Sequence, residues 1–369
     1  MALKRPRWPQ GRTLILDHDS YILRGNPLKD PNKRKLAVWL PPQYDQADAG
    51  ARKTRFPVFY DLVGFMGSGL SHLNWRNFDE NVPERAARLI HEGKMGPAII
   101  VFPDCFTALG GNQYINSPAM GDYADYITQE LIPFVDGEFR TLASREHRGC
   151  FGKSSGGYGA VIHGMKYAKY WGAIASHSGD AHFDFVYMND WPRTLTELMK
   201  HRKNKRVAGP VDVRLEEKGA NKGIDDGRVK NFLNAVWKKE KLSEAEGHAL
   251  MMLAMAASYD PAPGVPLGFH LPFNLETGER IEARWKNWLK HDPINLVDKY
   301  RVNLKSLKGI FIDCGWRDQY QIHYGARILS KRLKVAGVKH TYEEFDDTHS
   351  GVDYRMDASL PFLYRALKP

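Results

Sequence analysis

The chain has 369 residues, of which 43% are hydrophobic and 26% are charged, and its formal net charge is +10. This composition is typical of a folded globular protein and excludes a chain that stays disordered for lack of apolar residues. No segment approaches the roughly 18 consecutive apolar residues of a transmembrane helix, so the sequence predicts no membrane span.

Three features bear on partners and compartment. Positive charge is concentrated at residues 200–206, and a solvated surface explains this run better than nucleic-acid binding, since no recognised nucleic-acid module accompanies it. Cys105, Cys150 and Cys314 form neither a CxxC pair nor a zinc-ligand pattern. The basic N-terminus lacks the apolar core of a signal peptide. We therefore expect a cytoplasmic protein with no cofactor, no metal and no nucleic-acid partner, and the sequence does not decide between monomer and homo-oligomer.

The apolar segments, taken in chain order, alternate between strand and helix patterns. An all-apolar strand such as 98–102 is typical of a parallel sheet that is buried on both faces. The expected fold is α/β, with a mostly parallel central sheet and helices on both of its faces. Predicted strands cover 13–16, 35–40, 56–63, 98–102, 148–152, 172–178, 309–313 and 341–345, and predicted helices cover 81–91, 122–139, 155–168, 320–336 and 351–367.

The α/β alternation is interrupted between residues 183 and 288. This stretch is largely helical, partly basic, and contains a proline-rich turn near residues 261–263. We expect it to be a cap-like insertion at the carboxyl edge of the sheet. The whole chain, 1–369, is then one domain with a cap and not two full domains.

The motif Gly152-Lys153-Ser154-Ser155-Gly156 matches G-x-S-x-G and lies between a predicted strand and a predicted helix. In a nucleophile elbow the serine occupies a strained, sharp turn, and small neighbours allow the strand and helix backbones to approach. The turn also directs the N–H of Ser155 and the positive end of the helix toward developing negative charge. Ser154 is therefore the predicted nucleophile.

The same motif is compatible with two roles that need no nucleophile. Gly152-Lys153-Ser154 resembles the end of a phosphate-binding loop, but that loop needs glycine five positions earlier, where His147 stands. A glycine turn with a purely structural role is the second alternative, and only the partner residues can decide against it.

Partners for Ser154 are predicted from chain order, which in α/β-hydrolases is serine, acid, histidine. Asp318 directly follows the strand 309–313, and His349 follows the last strand, 341–345. His349 is then the base that activates Ser154, and Asp318 is the acid that orients it. Asp313 is the alternative acid, although it lies within or at the end of its strand; Asp346 and Asp347 are too close to His349 to be preferred.

The remaining histidines near the elbow have simpler roles. His147 and His163 fit surface or core positions, whereas His177 and His182 follow the strand after the elbow and are candidates to line a pocket. Five aromatic residues of the insertion are candidates to contact an acyl chain, and core packing explains them equally well: Trp191, Phe269, Phe273, Trp285 and Trp288.

Glycines at positions 64, 67 and 69 follow an early strand, where backbone N–H groups could face a substrate oxygen. Together with the elbow, these segments resemble the esterase D and enterochelin-esterase-like branch of the α/β-hydrolases, which includes S-formylglutathione hydrolases, feruloyl esterases and mycolyl transferases. The resemblance spans most of the chain and rests on residues 25–28 through 40–44, 63–65, 130–134, 152–157, Asp318 and His349.

The resemblance implies that the backbone N–H groups of Phe65 and Ser155 form the oxyanion hole. Two residues depart from the family pattern: Val63 stands where many relatives carry histidine, and Lys153 replaces a small or hydrophobic residue. Neither change removes a backbone donor. The resulting hypothesis is a serine carboxylesterase that acts on a small-molecule ester through an acyl-enzyme. An acyltransferase and a noncatalytic binding protein on the same fold remain alternatives.

Overall fold

A computed structural model describes residues 7–45, 54–202 and 227–369 of the chain. Within them, the main sheet has eight strands in the order β1-β2-β4-β3-β7-β8-β9-β10. The pairs β1–β2 and β2–β4 are antiparallel and the other neighbours are parallel. The predicted α/β class with a mostly parallel sheet is therefore confirmed. The strands are β1 (Arg12–Asp19), β2 (Lys33–Leu40), β3 (Val58–Leu62), β4 (Ile99–Phe102), β7 (Arg148–Lys153), β8 (Ala173–His177), β9 (Gly309–Gly315) and β10 (Thr341–Phe345), and β5 (Asn116–Ser117) pairs with β6 (Gly121–Asp122) separately.

Helices occupy the predicted positions between these strands. One predicted helix, 122–139, is divided, because a π-helical turn over Tyr126–Leu131 separates two short α-helices. The helices are α1 (Val82–His91), α2 (Tyr123–Asp125), α3 (Ile132–Glu138), α4 (Ser155–Lys166), α5 (Phe183–Val186), α6 (Trp191–Met199), α7 (Arg228–Val236), α8 (Glu244–Tyr259), α9 (Glu282–Leu289), α10 (Arg301–Lys305), α11 (Ile322–Val335) and α12 (Met356–Leu367). Short 3₁₀ turns cover Pro42–Asp45, Gly69–Leu73, Arg145–His147, Ala168–Tyr170, Met188–Asp190, Pro293–Asn295 and Asp353–Arg355.

Local sequence explains where these helices begin. Before α1, the Asn81 side chain accepts a hydrogen bond from the backbone N–H of Glu84, and the Glu84 carboxylate accepts one from the N–H of Asn81. Ser243 and Glu246 repeat this capping box at α8. Such boxes satisfy backbone donors that the first helical turn leaves without partners.

The sheet separates two hydrophobic clusters because successive side chains of a strand point to opposite faces. On β7, Cys150 belongs to the larger cluster with α4, whereas Phe151 belongs to the smaller cluster with α1 and α12. All four residues of β4 are buried, as expected for a strand covered on both sides. The helices on both faces hold the carboxyl ends of β3, β7, β8 and β9 together at one edge.

The helices of the insertion pack around an aromatic cluster. Trp191 lies 5.3 Å from Phe273 and 5.2 Å from Trp285, measured between ring centroids, and Trp285 lies 5.5 Å from Trp288. These rings are almost fully buried. Core packing therefore accounts for these aromatic residues, which was one of the two roles that the sequence left open. The assignment of 183–288 as a cap on a single domain stays a prediction.

The basic run at 200–206 falls partly outside the described residues, which end at residue 202 before the gap. Within them, Lys200 bonds Glu197 on α6, and Arg202 forms an ion pair with Glu276. Both contacts lie within the insertion.

Candidate active site

Ser154 stands at the turn between β7 and α4 in a strained backbone conformation. Its φ is 58° and its ψ is −124°, a combination that non-glycine residues rarely adopt. The neighbouring glycines make this turn possible. A Cβ atom added to Gly152 or Gly156 would lie 2.2 or 1.7 Å from the carbonyl oxygen of Leu62, so neither position accepts a side chain. The G-x-S-x-G segment thus forms the sharp strand-to-helix turn that the sequence predicted.

A cavity of about 580 Å³ opens at this turn. Ser154 and His349 both line it, although they are far apart in the sequence. The loop after β3, the turn after β8 and the insertion supply further walls. The residues that line the cavity include Gly64, Phe65, His72, Arg76, Lys153, Asp180, Val186, Tyr187, Met251, Ile322 and Asp353.

His349 and Asp318 form a buried hydrogen-bonded pair. The Nδ1 of His349 lies 2.7 Å from Oδ2 of Asp318, and the two residues are 7% and 2% exposed. The other carboxylate oxygen accepts from the N–H of Tyr320, and the N–H of His349 donates to Gln319. Because the carboxylate can only accept, Nδ1 carries the proton and Nε2 is left as the acceptor.

The alternative acid, Asp313, has different partners. It lies inside β9, where Oδ1 contacts Nδ1 of His177 at 2.6 Å and Oδ2 accepts from Arg355. His177 in turn contacts the hydroxyl of Ser359 through Nε2 at 2.8 Å. Asp313 is therefore committed to a core network and is not the partner of His349.

The glycine-containing loop after β3 lies beside Ser154. A Cβ added to Gly64 would be 3.5 Å from Cβ of Ser154. The N–H groups of Met66 and Gly67 donate to the carbonyls of Gly110 and Gly64, whereas the N–H of Phe65 donates to no group of the described residues. Ser155 begins α4, where N–H groups have no partner within the helix. Neither predicted oxyanion donor, the N–H of Phe65 or of Ser155, is therefore bonded to another backbone group of the described residues.

Three charged groups of the cavity lining, His72, Arg76 and Asp353, were not predicted from the sequence. Nδ1 of His72 lies 2.6 Å from the buried carboxylate of Asp61, and Arg76 pairs with Asp353. Burial opposes protonation of His72, but the Asp61 carboxylate outweighs it and raises the pKa of His72 above its ordinary value. Burial also lowers the pKa of Lys153, whose ammonium has no ion-pair partner among the described residues.

Asp180 is a further residue of the cavity that was not predicted from the sequence. It lies three residues beyond the end of β8, at the same sheet edge as Ser154. Burial raises the pKa of Asp180 to about 6. The rule that sites form at the carboxyl ends of parallel strands points to this position, because Asp180 is a polar residue that closely follows a strand.

The other candidate histidines lie away from this cavity. His163 is fully buried in α4 against Trp171, and burial lowers its pKa to about 4. His177 belongs to the core network with Asp313, and the ring of His182 lies 4.3 Å from that of Phe185. His147 contacts the carbonyl of Leu367. Neither His177 nor His182 lines the cavity.

A family model described as "Putative esterase" matches residues 30–359 of the chain. The chain belongs to this esterase family. The match begins after β1 and covers the other seven strands of the main sheet and the insertion, and it agrees with the branch that the sequence resembles.

Curated relatives cover a smaller part of this esterase-family chain. Esterase Rv1288 and Esterase MT1326, from two strains of Mycobacterium tuberculosis, are each 31% identical to it over 144 residues. That match spans 37% of this chain and 28% of the relatives.

Solved structures similar to the esterase-family chain share its fold. A ferulic acid esterase aligns with a TM-score of 0.57 and 18% identity, over 98% of this chain and 100% of that one. An S-formylglutathione hydrolase from Agrobacterium tumefaciens aligns with a TM-score of 0.54 and 15% identity, over 99% of both chains. A fluorophosphonate-binding serine hydrolase of Staphylococcus aureus, FphF, aligns with a TM-score of 0.54 and 14% identity, over 96% of this chain and 98% of that one. At these identities the likeness establishes the α/β-hydrolase fold.

The described residues contain neither a candidate membrane span nor a candidate metal centre. No helix among them has the length and apolar character needed to cross a bilayer. In the same part of the esterase-family chain, histidine, cysteine and carboxylate side chains form no group of three or more that could hold a metal ion. The cytoplasmic location stays a prediction.

Proposed function

We propose that this chain is a serine carboxylesterase that hydrolyses a small-molecule ester through an acyl-enzyme. The observation that carries the proposal is the shared cavity: Ser154 on its strained turn and His349, hydrogen-bonded to Asp318, line one space of about 580 Å³. Membership of the esterase family supports the same reaction class.

In the proposed reaction, Ser154 attacks the ester carbonyl while Nε2 of His349 takes the hydroxyl proton. Asp318 keeps the proton on Nδ1 and stabilises the imidazolium that forms. The protonated His349 then gives its proton to the leaving alcohol, so the C–O bond breaks and the acyl group stays on Ser154. In the second half, His349 takes a proton from a water molecule whose oxygen attacks the acyl carbon. The bond from this carbon to Oγ of Ser154 then breaks, His349 returns the proton to Oγ, and the acid is released.

Negative charge develops on the carbonyl oxygen in both halves. We assign its stabilisation to the backbone N–H groups of Phe65 and Ser155, which flank Ser154 and are not occupied by other described groups. Preorganised donors of this kind contribute more in a partly enclosed site than they would in water. Both donors are backbone groups, so the two departures from the family pattern, Val63 and Lys153, do not remove them.

The insertion has the role of a cap in this proposal. Val186, Tyr187 and Met251 come from α5, the turn after it and α8, and they form apolar walls of the cavity. The cap therefore shapes the space for the acyl or alcohol group, while the sheet edge carries the reacting groups.

A fluorophosphonate probe tests the nucleophile directly, because it reacts covalently only with an activated serine. We expect the wild type to be labelled and Ser154→Ala to be unlabelled. Ser359→Ala is the matched control, since Ser359 also contacts a histidine that is paired with an aspartate. Circular dichroism of each variant establishes that it is folded. Labelling of Ser154→Ala, or its absence in the folded wild type, contradicts the proposal.

Hydrolysis separates an esterase from an acyltransferase or a binding protein. A panel of p-nitrophenyl esters of increasing acyl length, with methyl ferulate, is expected to give free acid in a Ser154-dependent reaction. Added alcohols that divert most of the acyl group from water would indicate acyl transfer instead. If the probe labels Ser154 but no ester of the panel is hydrolysed, the assignment of the nucleophile stands and the proposed ester hydrolysis is wrong.

A further inference from the structure

Asp180 is a buried carboxyl group in the cavity wall that the proposed mechanism does not use. It is 4% exposed, yet it lines the same cavity as Ser154 and His349. Asp180 is not the acid that orients His349, because His349 bonds Asp318. A buried carboxylate is costly unless it is paired or hydrogen-bonded, so its presence here calls for a partner.

The partners of Asp180 satisfy only one side of the carboxyl group. Oδ2 accepts from the hydroxyl of Tyr187 at 2.8 Å and lies 3.4 Å from Nε2 of Gln113. Oδ1 bonds no group of the described residues, and no arginine, lysine or histidine among them forms an ion pair with Asp180. The side chain therefore offers one acceptor atom without a protein donor, in the wall of the cavity.

The groups around Asp180 hold it in place. The hydroxyl of Tyr187 also contacts the hydroxyl of Tyr259 at 3.2 Å, and Nε2 of Gln113 also lies 2.9 Å from the hydroxyl of Ser155. All of these residues are buried. Two buried residues that are themselves hydrogen-bonded thus hold Oδ2 of Asp180, and a carboxyl group held in this way is preorganised for binding.

The cavity is lined by both charged and apolar side chains. Arg76 is the guanidinium of the lining, and it is already paired with Asp353. The apolar and aromatic lining includes Val186 and Met251, and Tyr187, which bonds Asp180. Such a lining suits an apolar body that carries a hydrogen-bond donor.

We propose that Asp180 binds a hydrogen-bond donor on the ester substrate, an ammonium group more strongly than a neutral hydroxyl, and so selects esters that carry a donor on an apolar body. The inference rests on the proposed esterase function and names the substrate class of that site. The donor can belong to the acid or the alcohol part of the ester. At neutral pH the carboxylate is ionised and attracts a cation, since burial raises the pKa of Asp180 only to about 6.

Rigid aryl esters test this inference, because a para substituent cannot reach the ester carbonyl of its own molecule and the amine therefore does not attack it. One series is phenyl acetates with a para aminomethyl, hydroxymethyl, ethyl or trimethylammoniomethyl group, which places the donor on the alcohol part. Methyl benzoates with the same para groups place it on the acid part. We expect the aminomethyl ester of one series to exceed its ethyl counterpart in kcat/KM by roughly tenfold or more, the scale of one charge-assisted hydrogen bond.

Asp180→Asn is expected to remove most of this preference, measured as the aminomethyl-to-ethyl ratio of kcat/KM. Asp298→Asn is the control, because Asp298 is exposed and does not line the cavity. Its ratio should equal that of the wild type. The trimethylammoniomethyl ester keeps the charge but has no N–H, so it should fall below the aminomethyl ester.

The outcomes separate this inference from the proposed function. If Ser154-dependent hydrolysis occurs but the ratio is unchanged in Asp180→Asn, or the quaternary ester is as good as the primary one, the inference is wrong and the esterase function stands. If no ester turns over, calorimetry with benzylammonium decides, since binding does not need chemistry. Binding that Asp180→Asn weakens supports the inference; no binding, or equal binding, overturns it.

Discussion

The described residues include two sets of serine, histidine and aspartate, and comparing them shows how the proposed active site differs from a buried hydrogen-bond network. In the first, Ser154 and His349 line the cavity and His349 bonds Asp318 at 2.7 Å. In the second, His177 bonds both Asp313, at 2.6 Å, and Ser359, at 2.8 Å. Hydrogen bonding is thus more complete in the second set, which occupies the core between β8, β9 and α12.

Access and backbone geometry distinguish the two sets. Ser359 lies inside helix α12 with no exposed surface, and Asp313 is held further by Arg355. No substrate can reach this hydroxyl. Ser154 is displayed on a strained turn at the cavity and bonds no described side chain, so its hydroxyl is available. Catalytic hydrogen bonds often tighten only when substrate binds, which fits the open arrangement of the first set.

The largest expected difference between the sets is in turnover. Ser154→Ala should lower kcat by about 10⁶-fold, as in serine hydrolases where the nucleophile is removed. Ser359→Ala should keep kcat close to the wild-type value, because its hydroxyl touches no reacting group. Rates of p-nitrophenyl ester hydrolysis, normalised to folded protein, measure both. A comparable loss in the two variants would mean that the core set takes part in catalysis.

Replacing Asp318 should mainly lower activity, whereas replacing Asp313 should mainly lower stability. Asp318→Asn is expected to lower kcat by about 10⁴-fold, because an amide cannot hold the productive tautomer of His349. Asp313→Asn leaves Arg355 and His177 without their buried carboxylate and should lower the free energy of unfolding by about 3 kcal/mol. Urea denaturation and initial rates, measured on both variants, test this pair. If Asp313→Asn lowers kcat more than Asp318→Asn does, Asp313 and not Asp318 is the catalytic acid.

The strained turn, which only the first set has, should depend on its glycines. Gly156→Ala brings Cβ to 1.7 Å from the carbonyl of Leu62, so we expect a loss of about 4 kcal/mol or failure to fold. Gly247→Ala is the matched control, since Gly247 also lies in the first turn of a helix but has open space around it. It should gain up to about 1 kcal/mol from helix propensity. Chemical denaturation gives both values.

The smallest expected effect concerns Asp180, which unlike Asp313 has no cation beside it. Burial raises the pKa of Asp180 from 3.8 to about 6, with the Tyr187 hydrogen bond and His349 opposing the rise. The folded state therefore binds this proton more tightly than the unfolded state. Relative to Asp180→Asn, the wild type should lose stability as pH rises from 4 to 7, by up to roughly 3 kcal/mol.

Denaturation of the wild type and Asp180→Asn at both pH values tests this effect. Other titrating groups, such as Asp292, are common to the two proteins and cancel in the difference. A difference in unfolding free energy that is independent of pH would show that Asp180 keeps an ordinary pKa. Asp180 would then be ionised at neutral pH without any opposing effect of burial.

The sequence by itself determined the local features. The glycines around Ser154 predicted a sharp turn, because only small residues fit between Leu62 and α4. Apolar segments predicted buried parallel strands, and the position of His349 after the last strand followed from chain order. These inferences succeed because strand periodicity, turn chemistry and connectivity are properties of short segments.

Only the tertiary structure decided which distant side chains meet. His177 and Asp313 are 136 positions apart, and His177 and Ser359 are 182 positions apart, so no local pattern announces their network. The sequence already preferred Asp318 to Asp313, and the structure adds that Asp318 bonds His349 whereas Asp313 bonds His177. Asp180 is contacted by Gln113 and Tyr187, which come from segments before and after it in the chain. The pairing and burial of these side chains depend on how helices and strands pack together. Patterns within short sequence segments do not contain this information.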